Sequence, residues 1–189
     1  MSSIGTPAGR QPGGSAFHEL LAAQVRNEFT ASQQYVALAV WFDANDLPRL
    51  AAHFYRQALE ERDHAMMLIQ YQLDNGLPVS VPGIDDVRND FSSVHEAVEV
   101  ALSQERRVTE EVTTLAKAAR AGGDYLGEQF VQWFLKEQVE EVAAMSTLLT
   151  VVNRAGDNLF HIEDFLARES VGDGGSADPT APRVAGGRA

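Results

Sequence analysis

Glu61 and His64 have the types and the spacing of metal ligands. They are three positions apart, and on an α-helix that spacing places both side chains on one face, within reach of one metal ion. The apolar residues around them, Leu50, Phe54 and Leu68 among them, follow steps of three and four. Because Glu61 and His64 fall within this period, both are expected to face the core. A buried, unpaired carboxylate costs several kcal/mol, so a cation is expected beside it.

Other predicted helices carry polar residues on their apolar stripes in the same way. Glu28 interrupts the first helix, Glu105 the third, and Gln138 and Glu141 the fourth. The first half of the chain repeats in the second: adding 77 to the residue number carries Glu28 to Glu105, Glu61 to Gln138 and His64 to Glu141. One alternative without metal is a solvated helix face, for which this coincidence of spacing is improbable. Another is a polar seam that specifies helix pairing, which would leave four inward acids without a cation.

The height of these residues in the fold is also predicted. In an antiparallel helix pair, residues equally far from the turn lie side by side. With turn centres near residues 45 and 122, the polar positions lie 17 residues before each turn and 16 and 19 residues after it. All six side chains are therefore expected at one level near the middle of a bundle, where they form a metal site.

The ligand types favour iron or manganese. Four carboxylates, one imidazole and one carboxamide offer oxygen and nitrogen but no thiolate, which suits these metals better than closed structural zinc. Four negative charges exceed the charge of one divalent ion, so two ions that share a bridging carboxylate are expected. Glu61 is the predicted bridge, because Glu28 and His64 flank it. Glu105 and Glu141 then remain for the second ion.

Gln138 is neutral and is expected to contribute differently. A carboxamide has both a donor and an acceptor group. We therefore predict that Gln138 hydrogen-bonds a bound oxygen species or water and ligates metal only weakly.

The chain is predicted to form one all-α domain. Its 189 residues, 44% of them hydrophobic, suffice for one core and are too few for two. Helical periods cover about residues 15–43, 46–75, 93–120 and 124–153, with a short amphipathic fifth helix at about 157–168. The segment 76–92 contains two prolines and has no helical period. Extended, it reaches about 55 Å, whereas a 28-residue helix is about 42 Å long, so it can cross the bundle and leave helices two and three parallel.

The helix ends have typical residue types. Ser15, Asp46 and Asp124 are the predicted N-caps, and Pro48 suits the first turn of the second helix. Gly76 follows the last turn of that helix, a position at which glycine is common.

Composition excludes several classes of protein. The net charge of −12 argues against nonspecific binding of nucleic acid or an anionic membrane and suits cationic ligands. The absence of cysteine excludes disulfides, iron–sulfur clusters and thiolate sites, and is compatible with the cytoplasm, the predicted location. No apolar run approaches a membrane span. Residues 1–14 and 169–189, rich in Gly, Ser, Pro and Ala, are predicted to be disordered arms around a domain of residues 15–168.

Over about residues 15–168 the chain resembles the ferritins, most closely the bacterial non-haem ferritins. The segments that carry the resemblance are 27–29 with Tyr35, 60–64, 104–106 and 133–141. The resemblance implies a ferritin-like four-helix bundle with a long crossover between helices two and three and a short fifth helix. It also implies a homo-oligomeric cage of 24 subunits. Such cages oxidise Fe(II) with oxygen or hydrogen peroxide at a di-iron ferroxidase centre and store ferric oxyhydroxide inside.

The resemblance also implies roles for individual residues. The first iron would be held by Glu28, Glu61 and His64, and the second by Glu61, Glu105 and Glu141, with Gln138 nearby. A third iron site is implied at Glu60, Glu137 and Glu140, for which solvated acids are the alternative.

The same resemblance bears on two aromatic residues and on haem binding. Tyr35 and Trp133 match aromatic residues that donate electrons near the centre, and ordinary core packing is the alternative. Bacterioferritins place a haem-ligating methionine directly after the bridging glutamate, but this chain has Arg62 there. We therefore predict that the protein binds no haem.

One alternative class is a di-iron enzyme that acts on a separate organic substrate. The chain has no second Glu-x-x-His pair and no large insertion that could form a substrate pocket, which argues against it. The preferred oxidant, the reductant for iron release and any encapsulating partner are left open by the residues.

Overall fold

Five α-helices and no strands make up the part of the chain that the computed structural model describes, residues 16–169, 171 and 178–187. They are α1 (Ala16–Ala44), α2 (Pro48–Asp74), α3 (Val94–Ala121), α4 (Tyr125–Ala155) and α5 (Phe160–Arg168). Every helix bound lies within three residues of its predicted position. None of these helices is both long enough and apolar enough to cross a bilayer.

The helices form the predicted bundle. α1 packs along α2 and α3 along α4, α1 also contacts α3, and α5 lies against α2 and α4. The non-helical connection between α2 and α3 is held along α1, because the Gln34 amide donates to the Arg88 carbonyl at 2.8 Å and accepts from the Arg88 N–H at 2.8 Å. The prediction of an all-α bundle with a long crossover is confirmed.

The helix caps differ from prediction at one site. Asp124 caps α4 as expected, accepting from the Gly127 N–H at 2.9 Å, and the predicted Ser15 cap lies outside the described residues. Asp46 is not the cap of α2. It adopts a left-handed conformation with φ of 57° that closes the α1–α2 turn, and Leu47 takes the N-cap position without a side-chain cap.

The missing cap of α2 is supplied by α5. The Glu163 carboxylate accepts from the Arg49 N–H at 2.8 Å and from the Leu50 N–H at 3.1 Å. A negative carboxylate at this position also suits the positive end of the helix dipole. The start of α2 is therefore fixed by a residue more than one hundred positions away.

The hydrophobic core is divided in two. One cluster contains Leu38, Phe54, Leu102 and Leu148, and the other contains Leu21, Leu68, Val112 and Phe134. On each of the four long helices, the polar positions predicted to bind metal separate the two clusters along the chain. The site is thus a polar layer between two apolar layers.

The C-terminal arm requires a correction. Residues 178–187 lie against the bundle, where Ala181, Val184 and Ala185 pack on the second cluster and the Ala185 N–H donates to the Met66 carbonyl at 3.2 Å. The predicted disorder is wrong for these ten residues, because their few apolar side chains find a complementary surface on the bundle. The prediction for residues 1–14 falls outside the described residues.

Candidate metal centre

The six residues predicted to form the site are all buried at the middle of the bundle. Their exposed fractions are 1% for Glu28, 0% for Glu61, 5% for His64, 0% for Glu105, 3% for Gln138 and 7% for Glu141. Charged residues are almost never this deeply buried unless they are paired. All six side chains therefore lie in the interior, where solvated side chains are not found.

Three of these residues form a compact group. One potential ligand atom from each of Glu28, Glu61 and His64 lies within 4.8 Å of the other two. His64 Nδ1 is 3.1 Å from Glu61 Oε2, and the Gln24 amide donates to Glu28 Oε1 at 2.9 Å. This arrangement of two carboxylates and an imidazole can hold one metal ion.

Glu105 and Glu141 make up the other side of the layer. The Tyr35 hydroxyl donates a hydrogen bond to Glu105 Oε1. Gln138 is oriented by the Thr109 hydroxyl, which donates to its side-chain oxygen at 3.0 Å, and its hydrogen bond to Glu105 lowers the pKa of that carboxyl. Gln138 thus supports a neighbouring carboxylate.

Each of the four carboxylates has one oxygen atom without a hydrogen-bond partner. These buried atoms are Glu28 Oε2, Glu61 Oε1, Glu105 Oε2 and Glu141 Oε2. Leaving one such group unsatisfied costs about 1–3 kcal/mol, more if it is charged, and most buried polar atoms in proteins have a partner. Four unsatisfied acceptors on four adjacent carboxylates fit bound cations.

Burial dominates the electrostatics of the layer. It raises the pKa of Glu28 and, with the charge of Glu105, the pKa values of Glu61 and Glu141 well above their ordinary value. Burial also raises the pKa of Glu105, although the Tyr35 hydrogen bond opposes this. The metal-free layer therefore retains protons that exposed carboxylates have lost, and a bound cation would release them.

The three residues predicted for a third site are only partly brought together. Glu60 and Glu137 are half-buried, and the negative charge of both raises the pKa values of Glu61 and Glu141, so they lie near the centre. Glu140 is exposed and borders a groove with Phe165 and Arg168.

The two aromatic residues singled out from the sequence both border the layer. Tyr35 is fully buried and bonded to Glu105, while burial and the charge of Glu105 raise the pKa of its hydroxyl well above the ordinary value. The Trp133 ring lies edge-on to His64, with centroids 5.6 Å apart, and its N–H donates to Asp178. Arg62, on which the prediction of no haem rests, is exposed on α2, and that prediction stays untested.

Sequence reasoning assigned no site role to three residues that contact the layer or its neighbours: Gln24, Thr109 and Asp178. Gln24 and Thr109 lie four positions from Glu28 and Glu105 on the same inward stripes, so helical spacing could have found them. Asp178 belongs to a segment without periodicity, and the sequence contains no signal for its contact with Trp133.

Comparison with known proteins agrees with this geometry. Residues 18–155 match the model of the ferritin family, described as a ferritin-like domain. The chain is 64% identical to ferritin BfrB of Mycolicibacterium smegmatis over 171 residues, 90% of this chain and 93% of that protein. It is 36% identical to a bacterial non-heme ferritin of Staphylococcus aureus over 140 residues, 74% of this chain and 84% of that protein.

Solved structures agree on the fold. An open pore ferritin from Archaeoglobus fulgidus superposes with a TM-score of 0.79 at 24% identity, over 84% of this chain and 98% of that one. The buried layer, the helix order and the extent of the family match lead to one conclusion: the chain belongs to the ferritin family.

Proposed function

We propose that this protein stores iron, and that it oxidises Fe(II) at the buried layer before Fe(III) is deposited as an oxyhydroxide inside a cage of 24 copies. Membership of the ferritin family supports iron storage. The observation that carries the proposal for the centre is the set of four unsatisfied carboxylate oxygens beside His64. The proposed location is the cytoplasm, and the proposed substrates are Fe(II) and oxygen or hydrogen peroxide.

The residues divide into two ligand sets that share Glu61. Glu28, Glu61 and His64 form the compact group and are the proposed ligands of the first Fe(II). Glu61 with Glu105 and Glu141 is the proposed set for the second, and the mutual effect of these three charges supports this grouping. Glu60, Glu137 and Glu140 are the proposed ligands of a third, weaker site.

The reaction balances with two metal ions. Two Fe(II) each give one electron to oxygen, which takes up two protons and leaves as hydrogen peroxide, or to peroxide, which takes up two protons and leaves as two waters. Carboxyl groups with raised pKa values release protons when the cations bind, next to the place where protons are consumed. The Tyr35 hydroxyl donates a hydrogen bond to Glu105 and is proposed to hold that carboxylate in place, while both electrons come from the two Fe(II).

The test is a titration of metal-free protein with Fe(II) under air, following Fe(III) absorbance and particle size by light scattering. Wild type is compared with Glu61→Ala and with the control Asp63→Ala, which alters a partly exposed acid on the same helix. We expect rapid oxidation far beyond about two irons per chain in a large particle, strongly slowed in Glu61→Ala and unchanged in Asp63→Ala. Oxidation that stops at about two irons per chain in a small oligomer would contradict storage and favour a di-iron enzyme with another substrate.

A further inference from the structure

Residues 178–187, the C-terminal strap, lie on the face of the bundle formed by α2 and α4. The strap is anchored at one end by the Ala185 N–H on the Met66 carbonyl of α2. At its other end Asp178 contacts two residues of α4, Trp133 and Lys136. Both helices carry proposed metal ligands one turn or less from these contacts.

Asp178 is held by four donors. Its Oδ2 accepts from the Trp133 indole N–H and from Lys136 Nζ, both at 3.1 Å. Its Oδ1 accepts from the N–H and the hydroxyl of Thr180, at 2.8 and 2.6 Å. Both oxygens are thus fixed, and the carboxylate can restrain the indole to one orientation.

Trp133 transmits this restraint to the proposed metal ligand. Its ring meets the His64 imidazole edge-on, at 5.6 Å between centroids and an angle of 76°. Phe134 packs on the same imidazole at 5.7 Å, and His64 in turn lies 3.1 Å from Glu61. A continuous path of contacts therefore runs from the strap through the indole to the bridging carboxylate.

We propose that Asp178 is a positioning residue of the metal centre: by accepting the indole N–H, it holds Trp133 against His64 and couples docking of the C-terminal strap to metal binding. This rests on the proposed role of His64 as a ligand. Coupling between two binding events is reciprocal. Metal bound at His64 should therefore strengthen docking of the strap, and loss of the Asp178 contact should weaken metal binding.

The experiment uses the assembled, metal-free protein. The chain has two tryptophans, so Trp41→Phe is introduced as background and leaves Trp133 as the only one. Co(II) is the probe, read by its visible absorption, and Trp133 emission reports the indole environment. Asp178→Ala is compared with Asp178→Asn, which keeps one acceptor oxygen for the indole N–H but places its NH2 where Oδ1 now accepts from Thr180. It is also compared with Lys136→Met, which removes the ion pair and keeps the indole hydrogen bond.

We expect Asp178→Ala to shift Trp133 emission and to weaken the first Co(II) binding step about threefold to tenfold. The loss of affinity should not exceed that seen when a group hydrogen-bonded directly to a metal ligand is removed. Asp178→Asn should restore most of the Trp133 emission and most of the Co(II) affinity. Lys136→Met should leave both quantities close to wild type. A further pair of variants keeps Trp41 and carries Trp133→Phe with and without Asp178→Ala. Because the indole N–H is absent in both, their Co(II) affinities should be equal.

Three results would overturn the proposal. The first is a shift of Trp133 emission in Asp178→Ala with unchanged Co(II) affinity. The second is an equal loss of affinity in Lys136→Met, which would assign the effect to charge. The third is persistence of the effect in the Trp133→Phe background. His64→Ala serves as a separate check: if it leaves Co(II) binding intact, the proposed centre fails, whereas the contact between strap and indole is still read by emission.

Discussion

At the scale of single residues, the centre is a group of buried carboxyl groups whose charged form the fold alone does not stabilise. Glu61 is completely buried, and one of its oxygens has no hydrogen-bond partner. Burial raises its pKa, and the charge of Glu105 raises it further. Apolar clusters lie on both sides of the layer. Such a group lowers the stability of the metal-free protein at neutral pH, and a bound cation would reverse that effect.

The first prediction concerns the pH dependence of stability in the metal-free protein. Because the pKa of Glu61 is raised above its ordinary value of 4.5, the folded state binds more protons than the unfolded state above that pH, and stability falls as pH rises. Glu61→Gln cannot ionise, so it should become progressively more stable than metal-free wild type from about pH 4.5 upward, by at most about 1.4 kcal/mol per pH unit. Guanidinium unfolding measures this difference.

The control for this series is Glu110→Gln, an exposed carboxyl of α3, which should show no such divergence. With Zn(II) or Co(II) bound, the order should reverse, because the ion then compensates the Glu61 charge in wild type. If the free energies of unfolding of Glu61→Gln and wild type differed by the same amount at all pH values, the raised pKa of the buried Glu61 would be contradicted.

The second prediction concerns Tyr35, whose hydroxyl donates to Glu105. Tyr35→Phe keeps the ring in its contact with Phe54, at 5.6 Å between centroids. It removes a hydrogen-bond donor from Glu105, whose other carboxyl oxygen has no hydrogen-bond partner. We expect a loss of about 1–3 kcal/mol in the free energy of unfolding of the metal-free protein. Tyr55→Phe, on the exposed side of α2, should stay within about 0.5 kcal/mol, and equal effects would argue against the hydrogen bond.

At the scale of elements, contacts between distant segments fix the ends of the helices. The start of α2 lacks a local side-chain cap, and Glu163 of α5 takes that place. The crossover is tied to α1 through Gln34 and Arg88. These contacts set the positions of the helices from which the ligands project.

The third prediction tests the cap from α5. Glu163→Ala leaves the Arg49 and Leu50 N–H groups without their acceptor, at a cost of about 1 kcal/mol. Hydrogen exchange of these two amides should accelerate about fivefold, and α5 should exchange faster as well. Asp164→Ala, one residue further along the exposed side of α5, should leave them unchanged; protection that survives in Glu163→Ala would mean that another group caps α2.

At the scale of the whole molecule, one subunit contains the complete six-residue layer but leaves large apolar side chains exposed. Phe160, at the start of α5, is 82% exposed. A side chain of that size contributes on the order of 1.5–3 kcal/mol when it is fully buried. Its exposure in a single chain therefore fits the proposed assembly, in which α5 packs against other copies.

The fourth prediction follows from this exposure. Phe160→Glu should convert the large particle into small oligomers by light scattering, because a buried, unpaired charge costs several kcal/mol. Phe160→Leu keeps an apolar side chain and should still assemble. The small form should oxidise Fe(II) only to about two irons per chain, since the layer is intact and no interior remains; a full-sized particle in Phe160→Glu would exclude Phe160 from the interfaces.

The sequence by itself determined the helices, the crossover and the six residues of the layer. An α-helix has a fixed rise and period, so the spacing of Glu61 and His64 and their distance from the turn already set their face and height. Those positions required no knowledge of the rest of the molecule.

Only the tertiary structure decided the contacts that bind the elements together. Glu163 meets Arg49 across 114 positions, and Asp178 meets Trp133 across 45. In both cases the intervening chain includes residues outside regular helix, whose path no short-range period fixes. The cap of α2 and the docked strap therefore depend on how the completed bundle presents its surface, and they could be seen only once that surface was in place.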